Sequence, residues 1–184
     1  MPDKPPVSER HVKQLAKLER ALHLRGWALA LDALDLAREL EAGKLRKDGK
    51  TPKFHHHVSV ARLVYTLAPH LQFPERTVAA AFLHDLLEDH GDIIHADLDD
   101  RFGTTLANDV ELLTKKTMGL AKTYEVYFEG MATSPVASVG GRDQFVSRMF
   151  RSKLSVRPSW LMSAGLASQI QLRSSIARSA LSTF

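Results

Sequence analysis

"AAFLHDLLEDHG", residues 80–91, puts His84, Asp85, Glu88 and Asp89 at the end of a segment that otherwise reads as a buried helix. Val78, Ala79, Ala80, Ala81, Phe82, Leu83, Leu86 and Leu87 leave no wide polar face, so His84 and Asp85 are expected to be buried. A carboxylate removed from water without a partner is costly; it must be protonated, paired or bound to a cation. At helical spacing Asp85 and Asp89 stand four residues apart, as do His84 and Glu88, giving two adjacent rows. Such rows can serve a metal ion and a water together.

The pattern predicts a fourth helix from Pro74 to Asp89, closed by Gly91. Before it, the polar, basic connector "KLRKDGKTPK" leads into a third helix from about His55 to Leu71, with Pro52 marking its start. A first helix runs from near Ser8 to Gly26, and a second lies in "WALALDALDLARELEAG", with Gly43 as its C-terminal cap. After the fourth helix, "HADLDDRFG" reads as a short helix ending in a turn, "TTLANDVELLTKKT" as a sixth helix, and "AKTYEVYFEGMA" as helical. Apolar residues recur at three-to-four spacing through most of the first 130 positions, with almost no strand-like alternation and no internal repeat. The expected fold is all-α.

Length and composition bound the rest. A chain of 184 residues suits one domain of ordinary size, and with no cysteine it has no disulfide, cysteine–zinc site or thiol nucleophile. The polar, proline-rich "MPDKPPVSER" lacks the apolar core of a signal peptide, and no run approaches the roughly 18 apolar residues of a membrane span. The expectation is a soluble, cytoplasmic protein with no membrane partner. The formal charge of +4 is uneven, since residues 1–143 carry −2 and residues 144–184 carry +6. The division expected is therefore a helical domain over 1–143 and a basic, Ser/Arg-rich extension over 144–184, without Asp or Glu and with only an irregular amphipathic pattern. The extension has neither aromatic interleaving nor a nucleic-acid motif, so nucleic acid is not an expected partner. The sequence is silent on oligomeric state.

Adjacent His and Asp cannot both point in one direction from a helix, but they can bracket a cation if another segment contributes. A second histidine is thus predicted, and the triplet His55, His56, His57 opens the third helix. His56 continues the stripe of Val60, Leu63, Val64 and Leu67, which faces the core on periodicity; His57, above Val60, Ala61 and Val64, is the second choice. His55, over Ser59 and Arg62, reads as the more exposed. Imidazole and carboxylate ligands without sulfur suit Mn, Fe, Co or Zn rather than calcium.

"RKDGKTPKFHHHVSVARLV", "AAAFLHDLLEDHGD", "DLDDRFGTTLANDVELLTKKT" and "GRDQ" stand in the order found in HD-domain phosphohydrolases. Over roughly residues 27–150 the chain resembles, more narrowly, the hydrolase domain of the RelA/SpoT family and its small stand-alone alarmone hydrolases. The resemblance implies a helical HD-domain bundle in which His56, His84, Asp85 and Asp143 bind a divalent metal, typically Mn²⁺, with the Thr51-Pro52 register selecting His56. It implies that Glu88 and Asp89 position and activate the attacking water, and that Arg46 and Lys47 contact substrate phosphates. The implied reaction is hydrolysis of the 3′-pyrophosphate of ppGpp or pppGpp to GDP or GTP and pyrophosphate; alarmone synthesis is not expected. The chain departs from the family pattern at Gly140, Gln144 and Ser147, where a Lys, an Arg or Lys, and an Asn are usual. These departures keep two alternatives open: an HD phosphohydrolase acting on another nucleotide or deoxynucleotide, and a catalytically impaired HD fold that binds a nucleotide as a sensor.

Overall fold

Helix α4, Pro74–Leu83, is the axis of the bundle, and its composition explains why. Every residue from Thr77 to Leu83 is buried, so "TVAAAFL" must be apolar all round. Four alanines and valines in succession let neighbouring helices approach closely, while Phe82 and Leu83 fill the remaining volume; each large side chain fully buried contributes roughly 1.5–3 kcal/mol. In this computed structural model, which describes residues 9–117 and 120–139, α2 (Ala28–Leu40) and α3 (Phe54–Thr66) pack against α4. Helix α1 (Glu9–Arg25) lies on α2, and α6 (His95–Phe102) forms a hairpin with α7 (Thr104–Leu113) across Gly103, whose φ of +83° suits glycine. Helix α5 (Leu86–Asp89) follows α4 directly, and α8 (Tyr124–Ala132) packs on α7. The all-α bundle expected from the sequence is the one observed.

Polar contacts fix these helices at their ends. Helix α2 has no side-chain cap of its own; Glu75, in the first turn of α4, accepts a hydrogen bond from Leu29 N at 2.8 Å and supplies one. Asp109 on α7 is buried, pairs with Arg76 of α4 at 2.9 Å and accepts from Ser134 Oγ at 2.5 Å. Ser134 Oγ in turn accepts from Val136 N and Ala137 N, so one chain of polar contacts runs from α4 through α7 to the segment after α8.

Three helix boundaries differ from the sequence expectation. Helix α3 stops at Thr66, not Leu71: Pro69 has no N–H to continue the ladder, and a 3₁₀ turn over Ala68–His70 takes over. The sixth predicted helix ends at Leu113, where Lys122 Nζ donates to Glu111 O, and a two-residue antiparallel ribbon follows, Lys116–Thr117 against Leu120–Ala121. The predicted helix Pro74–Asp89 breaks after Leu83, and that break positions the site. Asp143, the departures at Gly140, Gln144 and Ser147, and the extension over 144–184 lie outside the described residues.

Candidate metal centre

The basic connector is an ordered hairpin. Leu45 and Pro52 form an antiparallel bridge, Arg46 N donates to Thr51 O at 2.8 Å, and Gly49 turns the chain with φ +67°. Asp48 accepts from Thr51 Oγ1 at 2.6 Å and from Lys50 N and Thr51 N at 2.9 Å, which holds its carboxyl down at about 2. Lys53 N donates to Lys44 O at 2.9 Å, and α3 starts at Phe54, so the hairpin delivers the three histidines in the helix's first turn.

Successive helical residues point about 100° apart, and the histidines accordingly take three environments. His55 is buried, stacked on His11 with ring centroids 4.0 Å apart; burial first and His11 second lower its pKa. The expectation that His55 is exposed is thereby corrected: α1 covers it. His57 is fully buried and donates from Nδ1 to Phe82 O at 2.7 Å; burial, then the neighbouring His84, pushes it down to about 3. The core face of α3 is therefore His57, Val58, Ala61 and Val64; of the stripe through His56 only Val64 lies on it, and His56, Val60 and Leu63 form a half-buried flank. His56 can thus reach both the protein interior and solvent.

At the end of α4, His84 keeps helical dihedrals (φ −55°, ψ −32°), whereas Asp85 adopts φ −103°, ψ −4°. This is the sparsely populated bridge region, common at active sites. The turn lets adjacent side chains converge, which a continuous helix forbids: His84 Nε2 and Asp85 Oδ2 are 3.1 Å apart. His56 Nε2 lies 3.2 Å from His84 Nε2 and 3.5 Å from Asp85 Oδ2. All three ligand atoms fall within 4.8 Å of one another. His84 is 2% exposed and Asp85 half-buried.

This donor set fits a divalent transition metal. Ligand atoms bound about 2.1 Å from one ion, at right to tetrahedral angles, lie roughly 3.0–3.4 Å apart, close to the separations seen here. His84 Nδ1 donates to Ala81 O at 2.9 Å, so Nε2 is the ring nitrogen turned to the cluster, the orientation a metal-binding imidazole needs. Burial opposes charge on His84, but the Asp85 carboxylate outweighs it and raises the imidazole's pKa. Burial likewise acts to raise Asp85; the charge on His84 and hydrogen bonds from both histidines hold it far below the carboxylate range. Two nitrogens and one oxygen, with no sulfur, admit Mn, Fe, Co or Zn.

The acidic pair stands apart from this triad. Asp85 O accepts from Glu88 N and Asp89 N, starting α5. Glu88 Oε1 accepts from Lys115 N beside the ribbon, and Asp89 pairs with Lys53 at the base of the hairpin. Arg46 and Lys47 stand on the hairpin itself, Arg46 half-buried and Lys47 exposed. Sequence reasoning missed Glu41 and His90. Glu41, 1% exposed, accepts from His90 Nε2 at 2.7 Å and lies 4.0 Å from His57 Nε2. A signal existed, because Ala33, Ala37 and Glu41 occupy one buried face at spacing four.

Residues 33–123 match the family model of the HD domain. Over that span the bundle around His84 and Asp85 is similar to an HD domain. The matched span carries Arg46, Lys47, His56, His84, Asp85, Glu88 and Asp89, and it ends before Asp143. The match supports a metal-dependent phosphohydrolase in general. Neither a curated protein nor a solved structure matches the chain. Among the described residues, no helix is long and apolar enough to cross a membrane.

Proposed function

We propose that this HD domain hydrolyses the 3′-pyrophosphate of guanosine tetra- or pentaphosphate, releasing pyrophosphate and GDP or GTP. The observation that carries the reading is the convergence of His56, His84 and Asp85 at the start of the turn bearing Glu88 and Asp89. The narrowing to alarmones draws on the resemblance of "RKDGKTP" and "HDLLED" to the RelA/SpoT hydrolase domain. His56, His84 and Asp85 would hold the divalent ion, which we take to be Mn²⁺, with Asp143 as a further ligand. When bound, such an ion lowers the pKa of water and polarises a phosphoryl oxygen.

The chain's own groups perform the rest. Glu88 or Asp89 accepts the proton of the attacking water as its oxygen bonds to the phosphorus on the ribose 3′ oxygen. The bond between that phosphorus and the 3′ oxygen breaks, and the 3′ oxygen takes up a proton. Arg46 and Lys47 offset charge on the polyphosphate, Arg46 with a planar fork of donors suited to phosphate oxygens. Small nucleotide substrate, resident metal and a cytoplasmic setting are parts of one reading, with no membrane or nucleic acid involved.

The test is turnover of ppGpp with added manganese, resolving GDP and pyrophosphate, beside calorimetric titration of manganese. Parent activity should fall about 100-fold or more in both Asp85→Ala and Glu88→Ala. Only Asp85→Ala should also lose manganese affinity. Release of phosphate or triphosphate from other nucleotides, with ppGpp untouched, would replace the alarmone reading with a different HD phosphohydrolase.

A further inference from the structure

Among the described residues two carboxylates are buried, Glu41 and Asp109. Asp109 ties helices together through Arg76 and Ser134. Glu41 has a different set of neighbours, every one on a segment that carries the site. Its Oε1 accepts from His90 Nε2 at 2.7 Å, and His90 immediately follows Asp89. Lys44 Nζ lies beside the same ring, 3.0 Å from His90 Nδ1 and 3.1 Å from Nε2, so His90 stands between Lys44 and Glu41. Glu41 Oε2 has no hydrogen-bond partner and faces Lys53 Nζ at 3.9 Å. The same ammonium pairs with Asp89.

Lys53 is therefore held between two carboxylates, one buried beneath it and one at the site. A lysine head on a four-carbon stem has wide rotamer freedom, and a single exposed partner restrains it weakly. Glu41 supplies the second restraint from a direction water does not reach. Asp89 needs such help, because it ends a four-residue helix that has little stability of its own. A carboxylate in this interior position is costly unless cations answer it, and the cation that answers Glu41 is the one that holds Asp89.

We infer that Glu41 is a positioning residue for Asp89, acting through Lys53 and through His90 next in the chain; the inference rests on the hydrolase reading. The variants that test it are Glu41→Gln, which keeps an oxygen for His90 but removes the charge facing Lys53, Glu41→Asp, Lys53→Met and the double variant of Glu41→Gln with Lys53→Met. With ppGpp and saturating manganese, Glu41→Gln should lose kcat about tenfold or more, as removal of outer partners of functional groups does. KM and the calorimetric manganese affinity should stay at the parent's values, because Glu41 contacts His90 and Lys53 and none of His56, His84 and Asp85. The double variant should be no slower than Lys53→Met alone, and Glu41→Asp should recover part of the loss. Unchanged kcat, additive losses, or manganese affinity falling in step with kcat would each overturn the inference.

Should the parent turn over no ppGpp, the hydrolase reading fails separately, and the Lys53 ammonium resonance in ¹⁵N-lysine-labelled protein decides. A protected resonance lost in both Glu41→Gln and Asp89→Asn supports the positioning. A resonance that survives in Glu41→Gln refutes it.

Discussion

Replacing Arg76 by methionine tests the packing that holds α4, and with it His84, against the rest of the bundle. Asp109 is 4% exposed, and Arg76 is its cationic partner at 2.9 Å. Removing one member of a buried ion pair costs about 3–5 kcal/mol, because the remaining charge is stranded. Two features put the cost at the lower end: the Arg76 side chain is 23% exposed, so water can enter, and Ser134 Oγ still donates to Asp109. About 3 kcal/mol is a large part of a typical domain stability and corresponds to a melting temperature roughly 6–12 °C lower. Urea and thermal unfolding of the parent, Arg76→Met, Asp109→Leu and the double variant should show the double variant recovering at least half the loss. That recovery is expected since an ion pair replaced by apolar groups costs little, and Ser134 Oγ keeps Val136 N and Ala137 N as donors. The reasoning is refuted if Arg76→Met melts with the parent, or if the double variant is as unstable as the sum of the two single ones.

Acid should weaken the fold through His57. With a folded value of about 3 against 6.5 unfolded, the unfolded chain takes up a proton between those limits and the native chain does not. Stability therefore falls as pH drops through 6.5, by about 2 kcal/mol at pH 5. Urea titrations at pH 7.5 and 5.0 in chelator should show this loss in the parent and a smaller one in His57→Asn; the raised His84 opposes it in both proteins, and an equal loss would sink the assignment. At the hairpin, the double change Arg46→Ala, Lys47→Ala should raise KM for ppGpp roughly tenfold or more, since charge-assisted hydrogen bonds contribute about 1.5–3 kcal/mol each. Turnover at saturation should hold and the salt dependence of KM should flatten; an unchanged KM would remove these residues from the substrate contacts.

Much of the fold was legible because α4 is apolar on every side, a pattern only a central helix can satisfy, and because Gly26, Gly43 and Gly103 sit at turns of positive φ. The triad was legible in its residues but not in its geometry. Periodicity assigned His56 to the core, yet α3 turns His57 inward and leaves His56 on the flank. An amphipathic stripe fixes a face only to within about one residue, or 100° of rotation, and three consecutive histidines lie inside that uncertainty. Glu41 escaped for the opposite reason: it occupies a core position by spacing, but a charged residue in the last turn of a helix carries no signal of burial by itself. Its cationic and imidazole partners come from residues 53 and 90, and such long-range pairing leaves no local signature.

The break after Leu83 joins these observations. A continuous helix would place Asp85 about 100° round from His84, and only one of them could face His56. Leaving the helix for one residue turns Asp85 back toward His84, and the new turn starts at that same residue, with Asp85 O accepting from both Glu88 N and Asp89 N. One backbone adjustment thus gathers the ligands and aims the acidic pair. That new turn is too short to hold its own direction, which is why its two carboxylates are tied to distant backbone and side chain, Glu88 to Lys115 N and Asp89 to Lys53. The three ligands rest on the rigid end of α4 and the first turn of α3, whereas the acidic pair depends on contacts from the hairpin and the ribbon. Changes at the contacts that tie the acidic pair, Lys53 and the backbone at Lys115, should therefore alter turnover before they alter metal affinity, and changes in α3 or α4 should do the reverse.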